Sequence, residues 1–220
     1  MLKLTMITEE QIYKLHKKYC HGNYYDKILD LCWTHSQIVK EIALQISANL
    51  KKNYAIEADK KLITAGSLVH DIGLYNCFDD NFQKIVRYAT HGQVGYDILK
   101  REKVEEKIAR FSLCHTTTGL TKEDIVNQEI PMEPKDYIPI TLEEEIVSYA
   151  DTFHSKGHPG FHTFEEMEQN YTKYGENAVT MLKRFRRKFG LPELNLLISE
   201  YTKWHVEINQ WLKELRKKEQ

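Results

Sequence analysis

Four histidines and two carboxylates, His35, His70, Asp71, His91, His115 and Asp151, carry the candidate chemistry of this chain. Imidazole nitrogen combined with carboxylate oxygen suits iron, manganese or zinc better than calcium, which takes an oxygen shell. His70 and Asp71 are adjacent in "SLVHDIGLYNC". A carboxylate can join two cations where an imidazole nitrogen holds one, so Asp71 is the candidate bridge and His70 a terminal ligand. By itself a His-Asp pair is more often a satisfied core histidine beside a local cap. The other four positions change its meaning, because each falls on a different predicted helix or helix end. A helical bundle builds a metal site in that way, with one or two inward ligands from each helix.

Those helices are read from apolar spacing, which predicts them over about 7–19, 26–50, 59–73, 92–101, 104–115, 141–154, 163–188 and 193–216. Ile28, Leu31, His35, Val39, Ile42 and Ile46 recur at helical spacing, which puts His35 on a buried stripe. Asp59 is the expected N-cap of the next helix and Gly73 its left-handed stop, with His70 and Asp71 in the last turn. Thr90 or His91 opens the helix of "THGQVGYDIL", and His115 closes "VEEKIARFSLCH" at a helix end or in the following loop. Asp151 follows a stripe of Leu142, Ile146, Tyr149, Ala150 and Phe153. No sustained alternating run occurs, so the fold class is all-α with few or no strands. Residues 116–139 form the longest irregular stretch, where Pro131, Pro134 and Pro139 exclude one continuous helix. That stretch is a candidate lid or a plain surface excursion.

The order His, His-Asp, His, His, Asp, with "HDIG", "HGQVGYDIL", "HTTTG" and "SYADTF" around the later members, resembles the HD-domain metal-dependent phosphohydrolase superfamily. Its two-metal branch, which includes the symmetrically cleaving dinucleoside tetraphosphatases, is the most similar part. The resemblance implies a single HD domain over 1–220, with its core about 28–155 and helical extensions at both ends. It implies His35, His70, Asp71 and Asp151 as ligands of one metal, with His91 and His115 completing a second site that shares Asp71. Two divalent transition-metal ions are then expected, iron favoured and manganese or zinc possible in the same donor set. Asp71, His91 and His115 would be the catalytic residues, holding ions that activate water against a phosphate ester or anhydride. The same ligand set serves two alternatives, a di-iron oxygenase and a non-catalytic ligand-sensing module.

Phosphate recognition needs fixed positive charge near the ligands. Arg87, four residues before His91, and Lys156, five after Asp151, are the nearest basic candidates, and His154 is a further substrate or outer-shell candidate. The run Lys183, Arg184, Arg186, Arg187 and Lys188 is the densest in the chain, and such a run is ordinarily a solvated face. His158 and His162 are separated from His154 by Gly157, Pro159 and Gly160, so the three do not share a helix face. Ligating histidines usually donate their second ring nitrogen to a carboxylate or carbonyl, for which Asp97, Glu145 or backbone groups are candidates.

A net charge of -1 argues against broad nucleic-acid binding and favours a small phosphorylated substrate, with a nucleotide first. No stretch approaches the roughly 18 apolar residues that cross a bilayer, and no secretory pattern opens the chain, so the expected location is cytoplasmic. Cys20, Cys32, Cys77 and Cys114 lack C-x-x-C spacing and read as free thiols, with Cys32 and Cys114 buried beside the site helices. Leu194, Leu197, Ile198, Tyr201, Trp204, Ile208, Trp211 and Leu215 trace one face of the last helix, expected to meet the core, the alternative being a homodimer contact. His205 lies near that stripe and reads as a core or rim residue, not a ligand.

Overall fold

The computed structural model describes residues 7–217, so the first six and last three residues of the expected 1–220 unit lie outside the described range. Helices dominate: α1 (Glu9–Tyr19), α2 (Tyr25–Tyr54), α3 (Lys60–Val69), α4 (His91–Arg101), α5 (Glu106–Cys114), α6 (Lys122–Asn127), α7 (Leu142–Asp151), α8 (Phe164–Tyr171), α9 (Glu176–Phe189) and α10 (Asn195–Lys217). A two-residue hairpin, β1 (His154–Ser155) with β2 (Gly160–Phe161), is the only sheet among the described residues. The chain is an almost entirely helical bundle, as the periodicity predicts.

The long helix α2 is the spine, and its apolar stripe is buried along its length, with Ile28, Leu31, Val39, Ile42 and Ile46 all in the core. Toward its N-terminal half it joins one apolar cluster, in which Ile28 and Cys32 meet Leu68, Val69, Ile98 and Ile108. Toward its C-terminal half it joins another, in which Ile38, Ile42 and Ile46 meet Ile146, Tyr149, Phe153 and Phe185. His35 lies on α2 between Cys32 of the first cluster and Ile38 of the second. A polar group buried at that seam costs several kcal/mol unless its nitrogens are satisfied, which sets the question the site must answer.

Local sequence accounts for most of the helix starts. Asp59 caps α3 by accepting from the Lys61 and Leu62 amides at 2.9 and 3.0 Å. Thr8, Thr121, Thr141 and Thr163 each close a capping box, with Gln11, Asp124, Glu144 and Glu166 respectively. Each such cap stabilises its helix by about 1 kcal/mol.

Several expectations are corrected. α3 ends at Val69, so His70 and Asp71 lie just past it, at the joint with a 3-10 turn over Ile72–Cys77. Gly73 is inside that turn and is not a left-handed stop. Its missing side chain serves close packing instead, since a Cβ there would stand 2.1 Å from the His91 carbonyl oxygen and 2.3 Å from the Gly95 nitrogen. The helix expected over 163–188 is two helices, broken at Gly175, which takes a φ of 101°. The stretch 116–139 is not wholly irregular: it holds α6, a bridge from Leu120 to Tyr137, and a small core of Leu120, Ile125, Ile130 and Tyr137. On α10, Leu197, Ile208 and Leu215 are buried as expected, but Ile198 is 44% exposed and Leu212 takes a core place instead.

Candidate metal centre

All six sequence-selected donors converge. His35 comes from the middle of α2, His70 and Asp71 from the joint after α3, His91 from the first position of α4, His115 from the end of α5, and Asp151 from the last residue of α7. Two groups of donor atoms could each hold a metal ion, one of His35, His70, Asp71 and Asp151, the other of Asp71, His91 and His115. Asp71 belongs to both and is completely buried. Its Oδ2 lies 3.2 Å from the Nε2 atoms of His35 and His70, while its Oδ1 lies 3.2 Å from Nε2 of His91 and 3.4 Å from that of His115. Asp151 Oδ1 closes the first group, 3.0 Å from His35 Nε2 and 3.4 Å from His70 Nε2.

The second ring nitrogens show why Nε2 is the donor. Nδ1 of His70 faces the Ser67 carbonyl at 2.6 Å, that of His91 the Tyr88 carbonyl at 2.7 Å, and that of His115 the Ser112 carbonyl at 2.8 Å. A carbonyl oxygen only accepts, so in the neutral ring the proton sits on Nδ1 and the Nε2 lone pair is left for the site. Each carbonyl belongs to the residue three before its histidine, which the turn at a helix end provides without help from elsewhere in the chain. Backbone groups therefore fill the role for which Asp97 and Glu145 were candidates. Asp97 instead accepts from Gln93 at 2.9 Å, and Glu145 is clamped by Arg184 at 2.6 Å and by Lys188.

This arrangement fits cations. The Nε2 atoms of His91 and His115 are 2.8 Å apart, so with both Nδ1 protons given to carbonyls two lone pairs face each other, a contact that needs a proton or a metal between them. Both Asp71 oxygens are buried, and no backbone amide or hydroxyl donates to either. An internal cation already stands beside them: the Lys156 ammonium contacts Asp71 and lies 3.1 Å from His35 Nε2. Burial alone would raise the Asp71 carboxyl, but the Lys156 charge and the neighbouring imidazoles hold it well below the usual carboxylate range. Burial likewise opposes the charge on His70, yet the Asp71 and Asp151 carboxylates push it up to about 10. His115, for which burial dominates, falls to about 4. The cluster thus carries negative charge that draws positive charge inward.

Other candidates are sorted by the same contacts. Lys156 is at the site, on the loop of the β1–β2 hairpin, with its charge raised in pKa by Asp71 against the effect of burial. His154 is buried, and its two ring nitrogens meet His35 Nδ1 at 2.7 Å and His205 Nε2 at 3.0 Å. Burial holds its pKa well below the ordinary histidine value. Arg87 is exposed and donates to the Glu129 carbonyl at 2.9 Å. The basic run on α9 faces acids: Lys183 pairs with Glu168, Arg186 with Glu165, and Arg184 with Glu145. The free thiols Cys20, Cys32, Cys77 and Cys114 are all buried. Sequence reasoning passed over Tyr88 and read His205 only as a core or rim residue. Tyr88 lays its ring over His91 at a centroid distance of 4.6 Å, and His205 reaches the site through His154 from α10. An aromatic three residues before a candidate ligand histidine was a signal for the first; nothing in the spacing marks the second.

The HD domain family model matches residues 32–156, more than half of the chain, and this protein belongs to the HD-domain family. It is 35% identical over 142 residues to an uncharacterized protein of Methanocaldococcus jannaschii, covering 64% of this chain and 72% of that one. It is 33% identical over 159 residues to a tRNA (cytidine(56)-2'-O)-methyltransferase of Thermoplasma volcanium, and 32% identical over 122 residues to one of Picrophilus torridus. These matches cover 72% and 56% of this chain but only 41% and 31% of the methyltransferases. Among solved structures, the HD domain of the L. monocytogenes phosphodiesterase PgpH aligns over 73% of this chain and 93% of its own, with a TM-score of 0.45 at 15% identity. No helix among the described residues is long and apolar enough to cross a membrane.

Proposed function

We propose that this protein is a metal-dependent phosphohydrolase that cleaves a phosphate ester or anhydride of a small substrate, a nucleotide or dinucleoside polyphosphate first among them. One observation carries the reading: Asp71 presents one oxygen to His35 and His70 and the other to His91 and His115, the geometry of a carboxylate shared by two ions. In this reading His35, His70, Asp71 and Asp151 hold one transition-metal ion, and Asp71, His91 and His115 hold the other. Such a pair supplies Lewis acidity and water made nucleophilic near neutral pH, and iron is favoured, with manganese or zinc suited to the same donors.

The side chains of this protein then do three things. The Nδ1–H donations of His70, His91 and His115 fix each ring with its lone pair inward. Burial of Asp71 and of all four ligand histidines keeps bulk water from competing for the donors. Lys156, which contacts Asp71, would place a positive charge beside a phosphoryl oxygen brought to the site. Arg87 and His154, committed to Glu129 and to neighbouring imidazoles, are left out of substrate contact. The test is elemental analysis of purified protein with a phosphate-release screen across nucleotides and dinucleoside polyphosphates. Two ions per chain and release that is lost on chelation are expected; oxygen consumption by an iron-loaded protein that releases no phosphate would replace this reading by the oxygenase one.

A further inference from the structure

Three of the four candidate ligand histidines are oriented by a backbone carbonyl three residues earlier. His35 is the exception. It sits in the middle of α2, where the carbonyls before it are spent on the helix, and its Nδ1 faces Nδ1 of His154 at 2.7 Å. An imidazole nitrogen can donate or accept, so this partner does not by itself decide which His35 nitrogen carries the proton. The decision passes along a chain. His154 Nε2 meets His205 Nε2 at 3.0 Å, and His205 belongs to α10, 170 residues away in sequence from His35.

We infer that His205 is a positioning residue for the first ion, setting the tautomer of His35 through His154. Two proton arrangements satisfy both contacts. In one, His35 Nδ1–H donates to His154 Nδ1 and His154 Nε2–H donates to His205 Nε2, which leaves the His35 Nε2 lone pair open toward Asp71 and Asp151. In the other every donor and acceptor is reversed, and His35 presents Nε2–H to the carboxylates and binds no metal. No proton is gained or lost between the two. The Lys156 ammonium, which only donates, lies 3.1 Å from His35 Nε2 and favours the first arrangement, whereas the Asp151 and Asp71 oxygens at 3.0 and 3.2 Å only accept and favour the second, so the first holds when a cation takes up those oxygens.

The rest of α10 is built to hold His205 in place. Trp204 Nε1 donates to Asp30 on α2 at 2.8 Å, and Asn209 donates to the Pro159 carbonyl at 2.7 Å, so the helix is tied both to the spine and to the hairpin that carries His154. His205 packs its ring against His154 and Phe161, each at a centroid distance of 5.3 Å. His154 is buried and His205 is partly so, which spares the relay from exchange with bulk water at its inner link.

The inference rests on the metal-centre reading, and its test keeps the two apart. Zinc binding to the full chain is measured by competition with a chromophoric chelator for wild type, His205→Ala and His205→Gln. An outer-shell partner of a ligating histidine is worth about tenfold or more in affinity. His205→Ala should therefore weaken one of two zinc sites by about tenfold, and His205→Gln, whose amide oxygen accepts from His154 Nε2–H, should restore most of it. Imidazole nitrogen NMR of zinc-loaded wild type should place the proton of His154 on Nε2 and that of His205 on Nδ1, an observation that needs no variant to fold. Failure of wild type to bind zinc would sink the metal-centre reading. Tight zinc binding in wild type with His205→Ala unchanged, or His205→Gln no better than His205→Ala, or the opposite tautomers, would overturn the relay alone.

Discussion

Because Asp71 gives an oxygen to both donor groups and His91 a nitrogen to only one, the two residues should fail differently when removed, and the difference can be worked out in advance. An ion held at a free concentration 100 times its Kd stabilises the folded chain by about 2.7 kcal/mol, so two such ions contribute about 5.4 kcal/mol. For a chain of this size 1 kcal/mol moves Tm by about 2–4 °C, so zinc should raise the wild-type Tm by about 11–22 °C over its chelated form. His91→Ala leaves His35, His70, Asp71 and Asp151 intact and strips the second group to Asp71 and His115, so about half that rise should survive. Asp71→Ala strips the second group to two imidazoles and takes a charged donor from the first. If that weakens the first site about 100-fold, its contribution falls to RT ln 2, about 0.4 kcal/mol, and the Tm rise to about 1–2 °C. Each variant is compared with its own chelated form by differential scanning calorimetry, with bound zinc counted in parallel, so any cost of leaving Lys156 unpaired cancels. Equal Tm rises for the two variants, or two ions retained by Asp71→Ala, would refute the shared-carboxylate geometry.

Gly73→Ala forces a Cβ against the His91 carbonyl and the Gly95 amide, so it should cost about 3 kcal/mol in urea unfolding; a cost under about 1 kcal/mol would show that the contact yields easily. Lys156→Met leaves buried Asp71 without its cation, so the chelated variant should be about 3 kcal/mol less stable than chelated wild type, and zinc should recover more stability in it than in wild type. His16 tests pH dependence at a buried histidine outside the six candidate ligands. It is buried between the Tyr75 hydroxyl and the Leu68 carbonyl, and burial lowers its pKa to about 4 from 6.5. The folded chain holds fewer protons there than the unfolded chain, so stability is complete above pH 6.5 and falls as pH drops toward 4, by at most about 3 kcal/mol. The difference in urea-unfolding free energy between wild type and His16→Gln should therefore shrink over that window, and a flat difference would contradict it.

Three of the candidate ligands, His70, His91 and His115, were legible because the orientation of each ring is set locally. At the ends of α3 and α5 and the start of α4, a histidine turns its Nδ1 to the carbonyl three residues back, and a helix end makes that carbonyl available whatever the remainder of the chain does. Spacing and helix boundaries were then enough to pick out His70, His91 and His115. The misread elements depend on contacts that are distant in sequence or on weak local signals. Gly73 was taken for a helix stop because the glycine code is the same for a left-handed turn and for a close approach, and only the packing of α4 distinguishes them. α6 was missed because its capping box closes with Asp124, a shorter acid than the usual glutamate, amid prolines that argue for a loop.

His35 is the instructive case. Its burial on the α2 stripe was predictable, but an interior helical histidine finds no spare carbonyl, so its orientation has to come from tertiary structure. Here it comes from two more histidines, one in a hairpin and one in the last helix. Each alone reads as an ordinary core or loop residue, because the property that matters, which nitrogen carries the proton, belongs to the three rings jointly and to none of their positions in sequence. A search for carboxylate or carbonyl partners near each ligand, the usual rule for bound imidazole, finds three of the four partners and passes over the one that can be reversed.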